Sequence, residues 1–265
     1  TGRIVWRSST GAGSEVGAYL HWLRATKGRD ALVTYSSVSN ADKAAPGRVH
    51  FLNATNGKSV HNISNVTHFG NNNSIVADLN NDGREEFLYA DLSTLTCYEQ
   101  PGFASKWRFD EGVRFCWSLP ALVKSDQDKR RAIVFGSEYN DQGHKSSMLA
   151  ISSSGRLLWR NDGHEEDLGS TPVFAADIDC DGKTELLKVG LDLEHRRNLK
   201  WNHLHVFSMN GELKSKVALG FTGIAIGDVD SDRHLDGVGL SNTRDGGRNG
   251  RREIRCVDLV TGNVK

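Results

Sequence analysis

Apolar residues in this chain fall in short runs, and polar or glycine-bearing segments separate them. His203-Leu204-His205-Val206-Phe207 keeps the two-residue alternation of a strand with one buried face. Val173-Phe174-Ala175-Ala176 and the run from Glu185 to Gly190 are compact strand-like segments bounded by loops. Nothing longer than a turn carries helical spacing, so the pattern predicts an all-β chain. One block recurs: an apolar strand (A), an acidic loop, a second strand ending near glycine (B), a polar insertion, a third strand (C), a tight glycine turn, and a fourth strand (D) such as Arg156-Leu157-Leu158-Trp159.

The turn recurs as Thr1-Gly2, Asn56-Gly57, Pro101-Gly102, Ser154-Gly155, Asn210-Gly211 and Thr261-Gly262, at intervals of 55, 45, 53, 56 and 51 residues. That is the length of a four-stranded propeller blade. The expected architecture is therefore a single β-propeller domain over 1–265, built of four-stranded antiparallel blades in five units, about 1–57, 58–102, 103–155, 156–211 and 212–265. Arg3 to Trp6 is able to supply the strand D that Asn263-Val264-Lys265 only begins, closing five blades into a ring. The Thr-Gly turn at both ends favours instead five consecutive units of a longer array. Trp6, Trp107 and Trp159 follow the turn glycine by four or five residues, and their indoles are expected to pack one blade on the next.

Three A-to-B loops place acidic or amide side chains at positions one, three, five and nine. They are Asp78, Asn80, Asp82 and Glu86; Asp177, Asp179, Asp181 and Glu185; and Asp228, Asp230, Asp232 and Asp236. Alternate oxygens on a tightly curled loop converge on one hard cation, and calcium takes six to eight of them. The seventh position adds a backbone carbonyl, that of Arg84, Lys183 or His234. Glycine at position six permits the sharp turn, and in the third loop Arg233 stands there, so strain or altered geometry is expected. An EF-hand is excluded, because Tyr89, Lys188 and Gly239 stand at position twelve and a strand follows the loop. The matching segments of units one and three, Trp22 to Asp30 and Val123 to Arg131, carry Arg24, Lys27 and Arg131 and are expected to bind no calcium.

These loops resemble the FG-GAP or VCBS-type repeats, the calcium-binding blades of integrin-α-like propellers, over all five units. The Gly-x-x-x-Trp step is similar to that of quinoprotein-type blades, and similar mixtures occur in rhamnogalacturonan lyases and propeller lectins. The resemblance implies two to three structural calcium ions that pin the loops.

The chain has 33 Lys+Arg against 33 Asp+Glu in 265 residues. A zero sum gives no reason to expect nucleic acid as a partner, and no apolar run approaches the roughly 18 residues of a membrane-spanning helix. The zero is a cancellation: the three loops hold twelve carboxylates when Glu85 is counted, while two B-to-C insertions are arginine-rich. One carries His195, Arg196, Arg197, Lys200 and Trp201, the other Arg244, Arg248, Arg251 and Arg252, and Tyr139 lies in a third insertion. Guanidinium groups beside aromatics suit an anionic polysaccharide; charges merely solvated and balancing the acidic stretch Asp162 to Asp167 are the alternative.

The expected function is an extracellular, calcium-stabilised binding or adhesion module for polysaccharide or a surface glycoprotein. The rival is a polysaccharide lyase, with His195, His203 or Tyr139 as base and Arg196 or Arg197 as neutraliser. No nucleophile elbow, P-loop or dinucleotide fingerprint is present. His203 and His205 share a strand face, which suits packing better than metal ligation. Asn53, Asn62, Asn65 and Asn72 begin N-x-Ser/Thr sequons. Cys97, Cys116, Cys180 and Cys256 lack metal-finger spacing, leaving disulfides or inert thiols open.

Overall fold

The computed structural model describes residues 4–8, 21–23, 30–36, 47–66, 74–90, 93–100, 102–111, 120–124, 131–138, 145–192, 202–221, 223–243 and 251–265. Among them every regular element is a strand, and the strands form five antiparallel sheets in chain order. The chain divides into two compact units, Thr1–Trp117 with Ser153–Gly155, and Ser118–Ser152 with Arg156–Lys265.

The first unit holds two four-stranded sheets. One is β1 (His21–Leu23), β2 (Ala31–Ser36), β3 (Gly47–Asn53) and β4 (Ser59–Val66); the other is β5 (Ser74–Ala77), β6 (Glu86–Ala90), β7 (Leu95–Glu99) and β8 (Ala104–Phe109). Their core joins Val33, Val49 and Phe51 to Phe87, Tyr89 and Phe103. Strand β6 is buried at every residue whereas β8 is mostly exposed, so the middle strands are covered on both faces and the last strand is the outer edge.

The second unit holds three sheets. They are β9 (Ala121–Lys124), β10 (Arg131–Gly136), β11 (Ser146–Ser152) and β12 (Leu157–His164); β13 (Val173–Ala176), β14 (Glu185–Gly190), β15 (His203–Phe207) and β16 (Leu213–Ala218); and β17 (Ala225–Gly227), β18 (Asp236–Thr243) and β19 (Arg251–Asp258). Val264 bridges back to Val257, beginning a fourth strand in the last sheet at the expected place. Two clusters fill the unit, one on Met148, Leu186 and Phe207, the other on Val206, Phe221 and Val257.

The sheets follow the expected A-B-C-D order, with corrections at particular residues. Trp22 and Val123, expected in loops, lie in β1 and β9, opposite Leu32 and Ala132. The cause is loop length. Seven residues, 24–30, separate the paired ends Leu23 and Ala31, and six, 125–130, separate Lys124 and Arg131, against eight in each acidic loop. Ala31, not Asp30, therefore heads strand B of the first sheet. Asp162 and His164, read as connector, belong to β12, whose last residue pairs with Ser146.

The glycine turns receive the tryptophans. Trp6 Nε1 donates to Ala54 O at 2.9 Å, Trp107 Nε1 to Ser153 O at 2.9 Å and Trp159 Nε1 to Met209 O at 3.0 Å. Each ring lies flat over a turn glycine of positive φ, Gly57, Gly155 or Gly211. In the second sheet the positive φ falls on Phe103 (52°), not on Gly102, and the Phe103 ring stacks on His61. With Phe103 as the turn position, His61, Trp107 and Trp159 all stand four residues after their turn. The apparent spacing of five was one residue of misregister.

Polar residues at the turns are committed locally. The Asn53 side-chain oxygen accepts the N–H groups of Thr55 and Asn56, and Asn62 Oδ1 meets His50 and Ser59; the Asn65 side chain and Asn72 lie outside the description. Cys97, Cys180 and Cys256 are free thiols, with Cys97 pushed up to about 12 by burial, and Cys116 is outside the described residues.

A Cβ on Gly155 would lie 2.6 Å from the Trp107 ring, and one on Gly211 2.4 Å from the Trp159 ring, whereas one on Gly102 meets nothing within 4 Å. Gly155→Ala and Gly211→Ala are therefore expected to cost about 2 kcal/mol or more each. Gly102→Ala should stay within about 0.5 kcal/mol of the parent. Urea unfolding of the three variants checks this, and equal costs at all three positions would contradict the turn assignment.

Candidate metal centres

The three acidic loops fold alike. Their first aspartate closes the curl by accepting two backbone N–H groups. Asp78 takes those of Asp82 (3.1 Å) and Gly83 (2.8 Å), Asp177 those of Asp181 (3.1 Å) and Gly182 (3.0 Å), and Asp228 those of Asp232 and Arg233 (both 3.2 Å). The fifth residue then accepts from the seventh: Arg84 N to Asp82, Lys183 N to Asp181, His234 N to Asp232. Left-handed backbone appears at position six, in Gly83, Gly182 and Arg233, and also at position four, in Asn81, Cys180 and Ser231. Arg233 thus keeps the loop geometry at φ 75°, in the region that disfavours a side chain.

The ninth acid heads strand B and is buried: Glu86, Glu185 and Asp236 are 3, 2 and 0% exposed. One oxygen accepts the N–H of the loop's second residue, from Leu79 at 2.9 Å, Ile178 at 3.3 Å and Val229 at 3.0 Å. The other oxygen faces a lysine. Lys106 Nζ is 3.0 Å from Glu86, Lys214 Nζ 2.8 Å from Glu185 and Lys265 Nζ 3.0 Å from Asp236. These lysines stand three residues after the turn positions Phe103, Gly211 and Gly262. At the same place Val60 and Leu158 occupy the two sheets without an acidic loop. No local pattern marks these lysines, because they lie 20 and 29 residues from their carboxylates. Their co-occurrence with the acidic loops was the available signal.

The loops differ in what they offer a cation. Asp177, Asp179 and Glu185 bring carboxylate oxygens within 4.8 Å of one another, as do Asp228, Asp230 and Asp236. All donors are hard oxygens, as calcium requires. Asp236 Oδ1 is buried, and the Lys265 ammonium stands 3.0 Å from it. In the first loop Asn80 turns its NH2 inward, to Asp82 at 3.1 Å and Glu86 at 3.0 Å, and a flip of that amide places its oxygen there instead. The Lys214 pKa is raised, first by its bond to Glu185, and that of Lys265 is raised strongly by Asp230 and Asp232.

A third group, Asp232, His234 and Asp258, was not foreseen, because Asp258 ends β19 and is distant in sequence. Burial acts to raise the Asp258 pKa, but the N–H groups of Thr261 and Val260 hold it at about 2. Lys265 Nζ reaches Asp230, Asp232, Asp236 and Asp258 at 2.8, 2.8, 3.0 and 3.6 Å, so one ammonium is shared by the acids of both groups.

Of the expected ligand-binding residues, Tyr139, His195, Arg196, Arg197, Trp201 and Arg248 lie outside the described residues. Arg251 opens β19 opposite Thr243. His203 and His205 do share a face, and both meet Glu166, at 3.3 and 3.5 Å. Lys216 pairs with the same carboxylate at 3.0 Å, and His164 stacks edge-on against His205 at 5.1 Å. Glu166 is held well below the usual range, first by His205. Burial lowers both His205 and His164, the latter to about 4.

No protein-family model matches the sequence, and a search of curated proteins found no match. Solved structures do match. BamB from Moraxella catarrhalis aligns with a TM-score of 0.57 at 12% identity, over 98% of this chain and 63% of that one. The quinohemoprotein alcohol dehydrogenase ADHIIG from Pseudomonas putida HK5 aligns at 0.52 and 12% identity, over 91% of this chain and 40% of that one. The chain thus spans less than two thirds of either, and the likeness shows the fold: β-propeller blades.

Two outcomes follow from the geometry. Replacing Arg233 by Gly removes a side chain from left-handed backbone and should add about 1 kcal/mol in urea unfolding with EDTA present; a loss would contradict the strain. His164 is depressed from 6.5 to about 4 by folding, so the unfolded chain binds more protons between those values. Its contribution, at most about 3 kcal/mol, is complete above pH 6.5 and is lost as pH falls toward 4. His164→Gln should flatten the melting temperature against pH over that window.

Proposed function

We propose that the chain is an extracellular, calcium-stabilised propeller of the FG-GAP or VCBS kind that binds a polysaccharide or surface glycoprotein. The observation that supports this best is the identical curl of three loops, each with a buried ninth carboxylate whose second oxygen is answered by an ammonium. An oxygen cage needing a counter-cation is the setting in which a calcium ion adds stability. The ions would be held by the side chains at positions one, three, five and nine of each loop, with the position-seven carbonyls of Arg84, Lys183 and His234. Metal at these places fixes the A-to-B turns and leaves the chemistry of recognition to other surfaces.

Melting in EDTA against excess CaCl2 tests the calcium reading. Saturation at about 100 times Kd is expected to add about 2.7 kcal/mol per site, a rise of several degrees, and Glu185→Gln should reduce it. An unchanged midpoint would overturn it. Binding on a glycan array with no unsaturated uronate formed supports the binding module. Ultraviolet-absorbing product from a pectic or algal polysaccharide would assign the lyase instead.

A further inference from the structure

A cleft of about 700 Å³ lies in the second unit against the second acidic loop. Its walls come from β9, β13, the loop residues 182–185, and the turn and strand that follow β15. Three lysines from three elements line it, Lys124 on β9, Lys183 in the loop and Lys214 on β16, with Leu122 and Met209 as apolar surface and Glu185 as the nearby acid. Two of the three are occupied with the loop's own carboxylates. Lys183 Nζ is 2.8 Å from Asp181 Oδ2 and Lys214 Nζ 2.8 Å from Glu185 Oε1. Lys124 has no ion-pair partner among the described residues and is exposed.

We propose that this cleft binds an anionic oligosaccharide and that calcium in the Asp177–Glu185 loop switches it on by releasing Lys183 and Lys214. The inference rests on the calcium reading above and adds the site, the ligand class and their coupling. The oxygens that now hold the two ammonium groups belong to position five and position nine, both assigned to the ion. A divalent cation sits about 2.3–2.6 Å from such oxygens, which would put it within a few ångströms of each ammonium, where like charges repel. The side chains are free to leave: Lys183 is 76% exposed and Lys214 41%. They already line the cleft, so on release they join Lys124 there. Without the ion one of the three ammonium groups is uncommitted among the described residues; with it all three are, above four carboxylates of whose charge calcium offsets half. Carboxylate or sulfate groups on a sugar meet the ammoniums, and the apolar face of a ring meets Leu122 and Met209. Linkage makes the effect mutual, so the anionic sugar also tightens calcium.

Calorimetric titration tests this with trigalacturonate, a sulfated galactotriose and neutral galactotriose, each with calcium and with EDTA. The expected result is binding of at least one acidic sugar, about tenfold or more tighter with calcium, and none of the neutral sugar. Lys124→Ala/Lys214→Ala should lose that binding about tenfold or more while showing a calcium-induced rise in melting temperature at least as large as the parent's, since Glu185 is then unpaired without the ion, and the cooperative melt shows that it folds. Lys124→Ala alone, at an exposed position, should lose part of it. Equal affinity in EDTA and calcium, or an unaffected double variant, would overturn the cleft while leaving a binding module in place. Absence of any calcium effect on melting would remove the reading on which the cleft rests.

Discussion

A carboxylate carried out of water must be met by positive charge or hydrogen bonds, or it takes up a proton. Glu86, Glu185 and Asp236 are carried in at the first residue of strand B, which in β6 and β14 is buried along its whole length. One oxygen ties down the second residue of the loop, which shapes the curl; the other accepts a lysine from the outer strand. The loop, the strand start and the outer edge of the sheet are thereby one electrostatic unit. Where strand B begins with Ala31 or Arg131 the unit is absent as a whole, down to Val60 and Leu158 at the lysine position.

That arrangement leaves the loops only partly balanced without an ion. Three or four carboxylates against one or two ammonium groups remain an acidic cage, and a divalent ion answers more of that charge than one lysine does. The third loop is the furthest advanced toward self-sufficiency, because Lys265 alone spans four carboxylates. The second is the most open, since its lysines are exposed and border a cleft. One loop geometry thus holds three different balances of charge.

Much of this was legible in the residues. Strand order, the all-β class and the curl of the loops followed from alternation, from the glycine turns and from acids at alternate positions. What escaped was set by contacts remote in sequence or by single-residue shifts of register. Phe103 takes the left-handed turn that Gly102 was expected to take, because its ring is anchored against Phe51 and His61. Left-handed backbone at Asn81, Cys180 and Ser231 carries no glycine signal. The convergence of His203, His205 and Lys216 on Glu166 joins β15 and β16 to the residues after β12, which no local pattern encodes. The B-to-C insertions, where arginines and aromatics suggested a partner, lie largely outside the described residues.

If a cation takes the oxygens of Asp181 and Glu185 that Lys183 and Lys214 now hold, both ammonium groups must leave. Carbon-13 NMR of the reductively methylated lysines reads this directly during a calcium titration of EDTA-stripped protein. The account predicts that the Lys183 and Lys214 signals move toward those of free side chains as the ion binds, while that of exposed Lys58 stays put. Calcium binding with both signals unmoved would contradict it.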